Sequence, residues 1–291
     1  MIRIENLTVK YNSNGKSSRS GSSHGIGIGI GIGIDKTKSK SEANNNGIDQ
    51  NNDNCARNEN EIVALENINI NIEGGAIYTI IGPSGCGKST LLNVLAGIQR
   101  EYSGTVLING EKVDPKKNNI GMVFQNYGLL PWKNVYDNAV MGLKIKGFPN
   151  YEYASDILNR LQLGKLLKKY PKELSGGERQ RVALARAFAL KPDILLMDEQ
   201  FSALDAITRE EMQEIFLDIW KEHSVTTLFI THSVEEALYL GEKVVVLTPS
   251  PGRIYKTIDN SVFGISNTRL NEEYYRKSIE LRKIIEKGWV K

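Results

Sequence analysis

Gly82-Pro83-Ser84-Gly85-Cys86-Gly87-Lys88-Ser89 reads G-x-x-x-x-G-K-S and runs on into Thr90. The apolar stretch Ile77 to Ile81 precedes it and the helical run Ser89 to Ala96 follows it. This strand, loop and helix order is the context that a phosphate-binding loop requires. Glycines let successive backbone N–H groups curl around phosphates, and the helix N-terminus adds partial positive charge. Lys88 is placed to reach the β- and γ-phosphates, and the Ser89 hydroxyl to ligate Mg²⁺. A random chain of this length would match the four fixed positions only about once in a hundred times. The loop therefore points to a nucleoside triphosphate.

Such a site also needs an acidic residue at the end of a buried strand. Ile194-Leu195-Leu196-Met197-Asp198-Glu199 supplies one, its continuous apolar run fitting a central parallel strand covered on both faces. Asp198 is the candidate metal ligand, and Glu199 beside it the candidate base for an attacking water.

Five further stretches recur in a recognisable order. Leu174-Ser175-Gly176-Gly177-Glu178 runs on into Arg179-Gln180-Arg181, and Gln125 follows the strand Ile120 to Phe124. Ser202-Ala203-Leu204-Asp205 follows Glu199, His232 ends the strand Thr227 to Thr231, and Tyr11 closes the first strand. Alone, a histidine after a strand is more often structural, as His24 and His223 are read here. Together the features resemble the ATPase subunit of an ABC transporter, over Ile2 to Tyr11 and roughly 61–258. The resemblance implies an α/β P-loop fold with a mixed sheet, an antiparallel β subdomain and a helical subdomain at about 126–176 that carries the signature. Residues 1–258 would form the ATPase domain and 259–291 a C-terminal helical tail.

By the same resemblance Tyr11 stacks on adenine, and Gly82 to Thr90 hold the phosphates of ATP. Gln125 joins Ser89 and Asp198 at Mg²⁺, while Glu199, His232 and Lys88 are catalytic. Ser175, Gly176, Gly177 and Asp205 complete the site of a second subunit, so a homodimer or a paired ATPase subunit is implied. The surface from Gly128 to Lys146 would face an integral membrane permease, itself served by a solute-binding protein, at the cytoplasmic face of the membrane. The run Asp198 to Arg209, with Leu130-Pro131-Trp132 and Ser250-Pro251-Gly252, is similar to nitrate, sulfonate, taurine and bicarbonate importers. Gln200 stands where that group usually has proline, and Ser202 where it has glycine. The rival readings are a soluble ABC ATPase uncoupled from transport and an importer of another small organic solute.

The remaining composition sets bounds. With 291 residues, 40% of them hydrophobic, the chain can bury a full core, and a net charge of +3 gives no argument for nucleic acid. Cys55 and Cys86 lie in a polar stretch and in the phosphate loop, which suggests no disulfide and fits a reducing compartment. No apolar run approaches the ~20 residues that span a bilayer, so a membrane role would come through a partner.

Residues 12–60 interrupt the pattern with Ser, Asn, Lys and Gly, and with five Gly-Ile pairs from Gly25 to Ile34. One reading is a docking strand with the isoleucines on one face. The other, favoured because alternate glycines weaken a strand, is a disordered low-complexity insertion in a hairpin loop. Elsewhere, alternation of Ile68, Ile70 and Ile72 predicts a half-exposed antiparallel strand, Asn109-Gly110 a hairpin turn, and Tyr153 to Leu163 and Glu272 to Lys287 helices.

Overall fold

The computed structural model describes residues 1–12, 61–148, 151–265 and 268–290. Its strands are β1 (Ile2–Asn12), β2 (Glu61–Ile72), β3 (Ile77–Ile81), β4 (Ser103–Ile108), β5 (Glu111–Lys112), β6 (Ile120–Val123), β7 (Ile194–Asp198), β8 (Thr226–Thr231), β9 (Lys243–Leu247) and β10 (Ile254–Asp259). Its α-helices are α1 (Lys88–Leu95), α2 (Val135–Lys146), α3 (Tyr151–Arg160), α4 (Gly176–Ala189), α5 (Ala206–His223), α6 (Val234–Leu240) and α7 (Glu272–Trp289).

The larger sheet has the order β10-β9-β3-β8-β7-β6. It is parallel from β9 to β6, and β10 closes one edge antiparallel to β9. Strand β7 illustrates why its residues form a central strand. Leu195 and Met197 pack on one face with Phe188 and Phe216, and Ile194 and Leu196 on the other with Leu91 and Leu95. Alternate residues point to opposite faces, and with both faces covered a continuous apolar run is what the position demands. The register sets Asp198 opposite Ile230, Ile81 opposite Thr231, and Val123 opposite Met197. The segments following these strands therefore leave the sheet at one level.

The smaller sheet, β2-β1-β4-β5, is antiparallel. Its buried residues run Ile2, Ile4, Leu7 and Val9 on β1, and Leu65, Ile68 and Ile72 on β2. The three-residue steps break strict alternation. Asn6 and Asn67 absorb the extra residue, each with a φ of 51° in the left-handed region, where asparagine is tolerated better than most residues. Without these irregularities Leu7 and Val9 would face solvent. Gly104 is required opposite, since a Cβ there would lie 2.4 Å from the Asn6 carbonyl oxygen. Asn109 and Gly110 make the tight turn from β4 to β5 with positive φ at both positions, as a two-residue hairpin requires.

Strands β1 and β2 pair up to Asn12 and Glu61. The Gly-Ile repeat, His24 and Cys55 lie outside the described residues. Between Gln125 and Ser175 the chain forms α2, α3 and two short 3-10 turns. Helices α2 and α3 pack on α4 through Val140, Leu143, Ala154 and Ala189. His223 is structural, its Nε2 2.7 Å from the Tyr153 hydroxyl. The charged helix α7 lays Tyr274, Leu281 and Ile285 against Val244 and Val246 of β9, and the Trp289 indole N–H donates to Leu247 O at 3.0 Å.

Candidate nucleotide site

The phosphate loop is shaped by its glycines. Gly85 and Gly87 have φ of 77° and 94°, values that L side chains rarely adopt. Gly87 also has no room, because a Cβ would lie 2.7 Å from Ala64 O. The Lys88 ammonium is buried and donates to Gly82 O at 2.8 Å and Pro83 O at 3.0 Å. Helix α1 begins at Lys88, its Leu91 N–H bonded to Gly87 O at 3.0 Å. Cys86 is buried beneath the loop, and desolvation pushes its thiol pKa up. It fills space as a thiol and has no thiolate character to offer. The Tyr11 hydroxyl sits 3.4 Å from Thr90 Oγ1 at one side of the loop.

The turn at Ser250-Pro251-Gly252 has a role that its sequence does not announce. Gly252 N donates to Ala64 O at 3.0 Å, and Gly252 O accepts from Glu66 N at 2.9 Å. Arg253 pairs with Glu66 at 2.6 Å. A Cβ on Gly252 would lie 2.0 Å from Cys86 O. The turn is thus a strut directly beneath the phosphate loop.

Across the loop, Asp198 accepts a hydrogen bond from Ser89, and burial raises its pKa against that bond and the nearby Lys88. Glu199 departs from the strand with φ 49°, a left-handed conformation that is strained for a non-glycine residue. Its N–H donates to Ile230 O at 3.0 Å, and its C=O accepts from Ser202 Oγ at 2.8 Å. This backbone geometry swings the carboxylate between two side chains. Oε2 lies 3.4 Å from Gln125 Nε2 and 3.5 Å from His232 Nδ1. Gln200 is buried and donates to Phe124 O at 2.7 Å, tying this segment to the backbone just before Gln125.

The structure therefore brings together Tyr11, Gly82 to Thr90, Gln125, Asp198, Glu199 and His232. Ser175, Gly176, Gly177 and Asp205 form a separate group. Ser175 is the N-cap of α4: its hydroxyl accepts from Glu178 N at 3.2 Å, and Glu178 Oε2 accepts from Ser175 N at 2.6 Å. That reciprocal pairing is a capping box, and it holds the Glu178 carboxyl below its ordinary pKa. Asp205 caps α5 by a single bond, accepting from Thr208 N at 3.1 Å. A Cβ on Gly177 would meet Thr208 and Leu204, and one on Gly176 would meet Tyr127. None of these neighbours belongs to the phosphate loop.

Sequence reading missed the residues that hold the loops. Arg186 donates to Tyr127 O and Gly128 O, anchoring the chain after Gln125 to α4. Asn138 is fully buried and binds Leu130 N and O, Lys133 O and Asn134 O, shaping the Leu130 to Trp132 stretch. The only sequence signal for either is a polar side chain on an otherwise apolar helix face.

Comparison with known proteins agrees with this geometry. Residues 65–202 match the family model described as ABC transporter. The aliphatic sulfonates import ATP-binding protein SsuB of Bacillus cereus (strain ATCC 10987 / NRS 248) is 41% identical over 219 residues, covering 75% of this chain and 87% of that protein. The taurine import ATP-binding protein TauB of Ruegeria pomeroyi is 47% identical over 202 residues, covering 68% and 75%. Among solved structures, the dimeric ATP-binding cassette MJ0796 in a post-hydrolysis state with ADP and Pi is similar at TM-score 0.66 and 27% identity, covering 89% of this chain and 98% of that one. With the phosphate loop, the strand-end carboxylates and the capped signature helix all in place, the chain belongs to the ABC transporter family, as an ATP-binding, ATP-hydrolysing subunit.

Proposed function

We propose that this ATPase energises uptake of a small organic anion, of the sulfonate or taurine kind, through a separate membrane permease. The observation that carries the reading is the convergence of Gln125 and His232 on one carboxylate oxygen of Glu199, beside the Ser89–Asp198 pair and the Lys88 loop. The substrate class follows from the relatives' sulfonate and taurine importers.

In this reading the amides of Gly85 to Thr90 and the Lys88 ammonium bind the phosphates of the substrate ATP, and Tyr11 flanks its base. Ser89, Asp198 and the Gln125 amide oxygen are hard oxygen donors that suit Mg²⁺. They fit because Gln125 turns its NH₂ toward Glu199, which leaves its oxygen available. The metal would supply positive charge against the phosphate oxygens. Glu199 Oε2 takes a proton from the attacking water, and His232 and Gln125 keep that oxygen oriented. Ser175 and Gly177 serve the site of a second subunit, in a dimer that ATP closes by binding the closed form more tightly than the open one.

The helical region around 126–176 would then be the moving part. Its exposed Trp132, Ile145 and Phe148 offer an apolar surface to a permease, with Gln125 at its root. Among the described residues no helix is long and apolar enough to cross a membrane. The protein would therefore sit peripherally, at the cytoplasmic face, and a solute-binding protein would deliver cargo on the other side. Reconstitution with the permease and binding protein in vesicles tests this, using labelled taurine, alkanesulfonates, nitrate and bicarbonate. ATP-dependent sulfonate uptake supports the reading. Uptake of nitrate or bicarbonate alone corrects the substrate, and a partner that is not a membrane protein removes the importer.

A further inference from the structure

Glu236 is a buried carboxylate that the chemistry above does not use. Its Oε2 accepts from the Thr231 hydroxyl at 2.6 Å. Thr231 Oγ1 in turn accepts from Ser233 N at 3.0 Å, so the residues on both sides of His232 are locked to each other and to Glu236. Its Oε1 lies 3.9 Å from Arg209 Nε. The Arg209 guanidinium also donates to Phe201 O at 3.1 Å and Leu204 O at 2.7 Å. Those carbonyls belong to the segment between Glu199 and Asp205. One carboxylate thus faces the backbone that carries His232 and the guanidinium that holds the loop after Glu199.

The network continues outward. Gln213 Nε2 donates to Glu236 Oε1 at 3.2 Å, and Gln213 Oε1 accepts from Arg269 at 2.6 Å. The amide can serve both neighbours in one orientation only, because its oxygen must meet the guanidinium and its NH₂ the carboxylate. Arg269 belongs to the segment after β10. It is held there by Glu210 at 3.6 Å, by Glu214 at 3.5 Å, and by the Tyr239 ring, whose centroid lies 3.7 Å away. Burial raises the Glu236 pKa, opposed by the Thr231 bond and by the charges of Arg209 and His232. Lone burial of a carboxylate is unfavourable, so the pairings that offset it are fixed in geometry.

We propose that Glu236 is a positioning residue for ATP hydrolysis, and that Arg269 acts through Gln213 and Glu236 to set the placement of His232 and the 201–205 loop. The segment after β10 is thereby coupled to turnover. This rests on the assignment of His232 to the hydrolytic site.

Arg269 is partly exposed and its removal leaves the apolar packing of α7 intact, so Arg269→Met should fold. Steady-state hydrolysis should show kcat lowered about three- to tenfold, the net scale of one ordinary hydrogen bond, since Arg269 acts only through its neighbours. The KM for ATP should move less than about twofold, since Lys88, Ser89 and Tyr11 are untouched. Arg269→Lys, which can still donate to Gln213, should recover part of the loss. Glu236→Gln, which keeps the shape but drops the charge facing Arg209, should lower kcat similarly. In a His232→Ala background, Arg269→Met should add little. A lower melting temperature with unchanged kcat, or an equal loss of kcat in the His232→Ala background, overturns the coupling alone. Full turnover by His232→Ala itself overturns the site assignment, and the coupling with it.

Discussion

The phosphate loop and the N-terminus of α4 are both helix starts built from glycines, yet they differ in how their polar groups are satisfied. At the loop, Lys88 is buried and bonded to its own loop, and Ser89 is bonded to Asp198. At α4, Ser175 is exposed and its hydroxyl is occupied in capping, with Gly177 against Leu204 and Thr208 and Gly176 near Tyr127. The first is a pocket assembled from several strand ends within one chain. The second is a rigid, outward-facing helix end that offers backbone amides and needs something to present them to. A second copy of the chain supplies that need in the reading proposed above. In that reading one subunit carries two unlike halves of a site, and the two halves should respond differently to damage.

The largest effect belongs to the loop side. Glu199→Gln should leave ATP binding near normal and lower turnover by ~10²–10⁴-fold, the usual weight of a positioned general base. Nucleotide binding and phosphate release measured on the same preparation check this, and near-normal hydrolysis would remove Glu199 from the role. The comparison itself breaks or stands on a mixing experiment. Lys88→Ala and Ser175→Arg should each be inactive alone, while a mixture of the two regains part of the activity in heterodimers that keep one intact composite site. No recovery, with heterodimers present, would mean that the two halves do not meet.

A smaller effect probes the strut under the loop. Gly252→Ala forces a Cβ toward Cys86 O, and overpacking of this kind is destabilising by about 1–3 kcal/mol. Thermal unfolding should shift down by several degrees and ATP affinity should weaken, whereas the α4 end, read as rescue of Ser175→Arg in mixed dimers, should be unaffected. The smallest effect is expected at residues 13–58. Since Asn12 and Glu61 are paired across β1 and β2, a short Gly-Ser turn can replace the segment, and closure entropy depends only weakly on loop length. ATPase activity and melting temperature should barely change. Loss of either would assign the Gly-Ile repeat a structural part.

Local signals carried much of this molecule. The glycines of 82–87 dictate a turn that only glycine adopts easily, and the apolar runs at Ile77 and Ile194 have no stable home except a doubly covered strand. The Asn109-Gly110 turn is likewise set by adjacent residues. Such features are legible because the chain's own sterics and hydrogen bonding decide them. The cap at Ser175, though equally local, emerged only from the structure. The register that brings Asp198, Ile230 and Ile81 to one level was not legible, nor was the Gly252 strut beneath Cys86. The shift of buried residues by one position at Asn6 and Asn67 was also hidden, although both are simple asparagines in sequence. Glu236, Gln213 and Arg269 are separated by 23 and 56 positions along the chain, and each reads as an ordinary charged or polar residue on a helix or turn. Only packing decides that these three are neighbours, because burying one carboxylate makes its partners obligatory, and the fold alone determines which side chains can reach it.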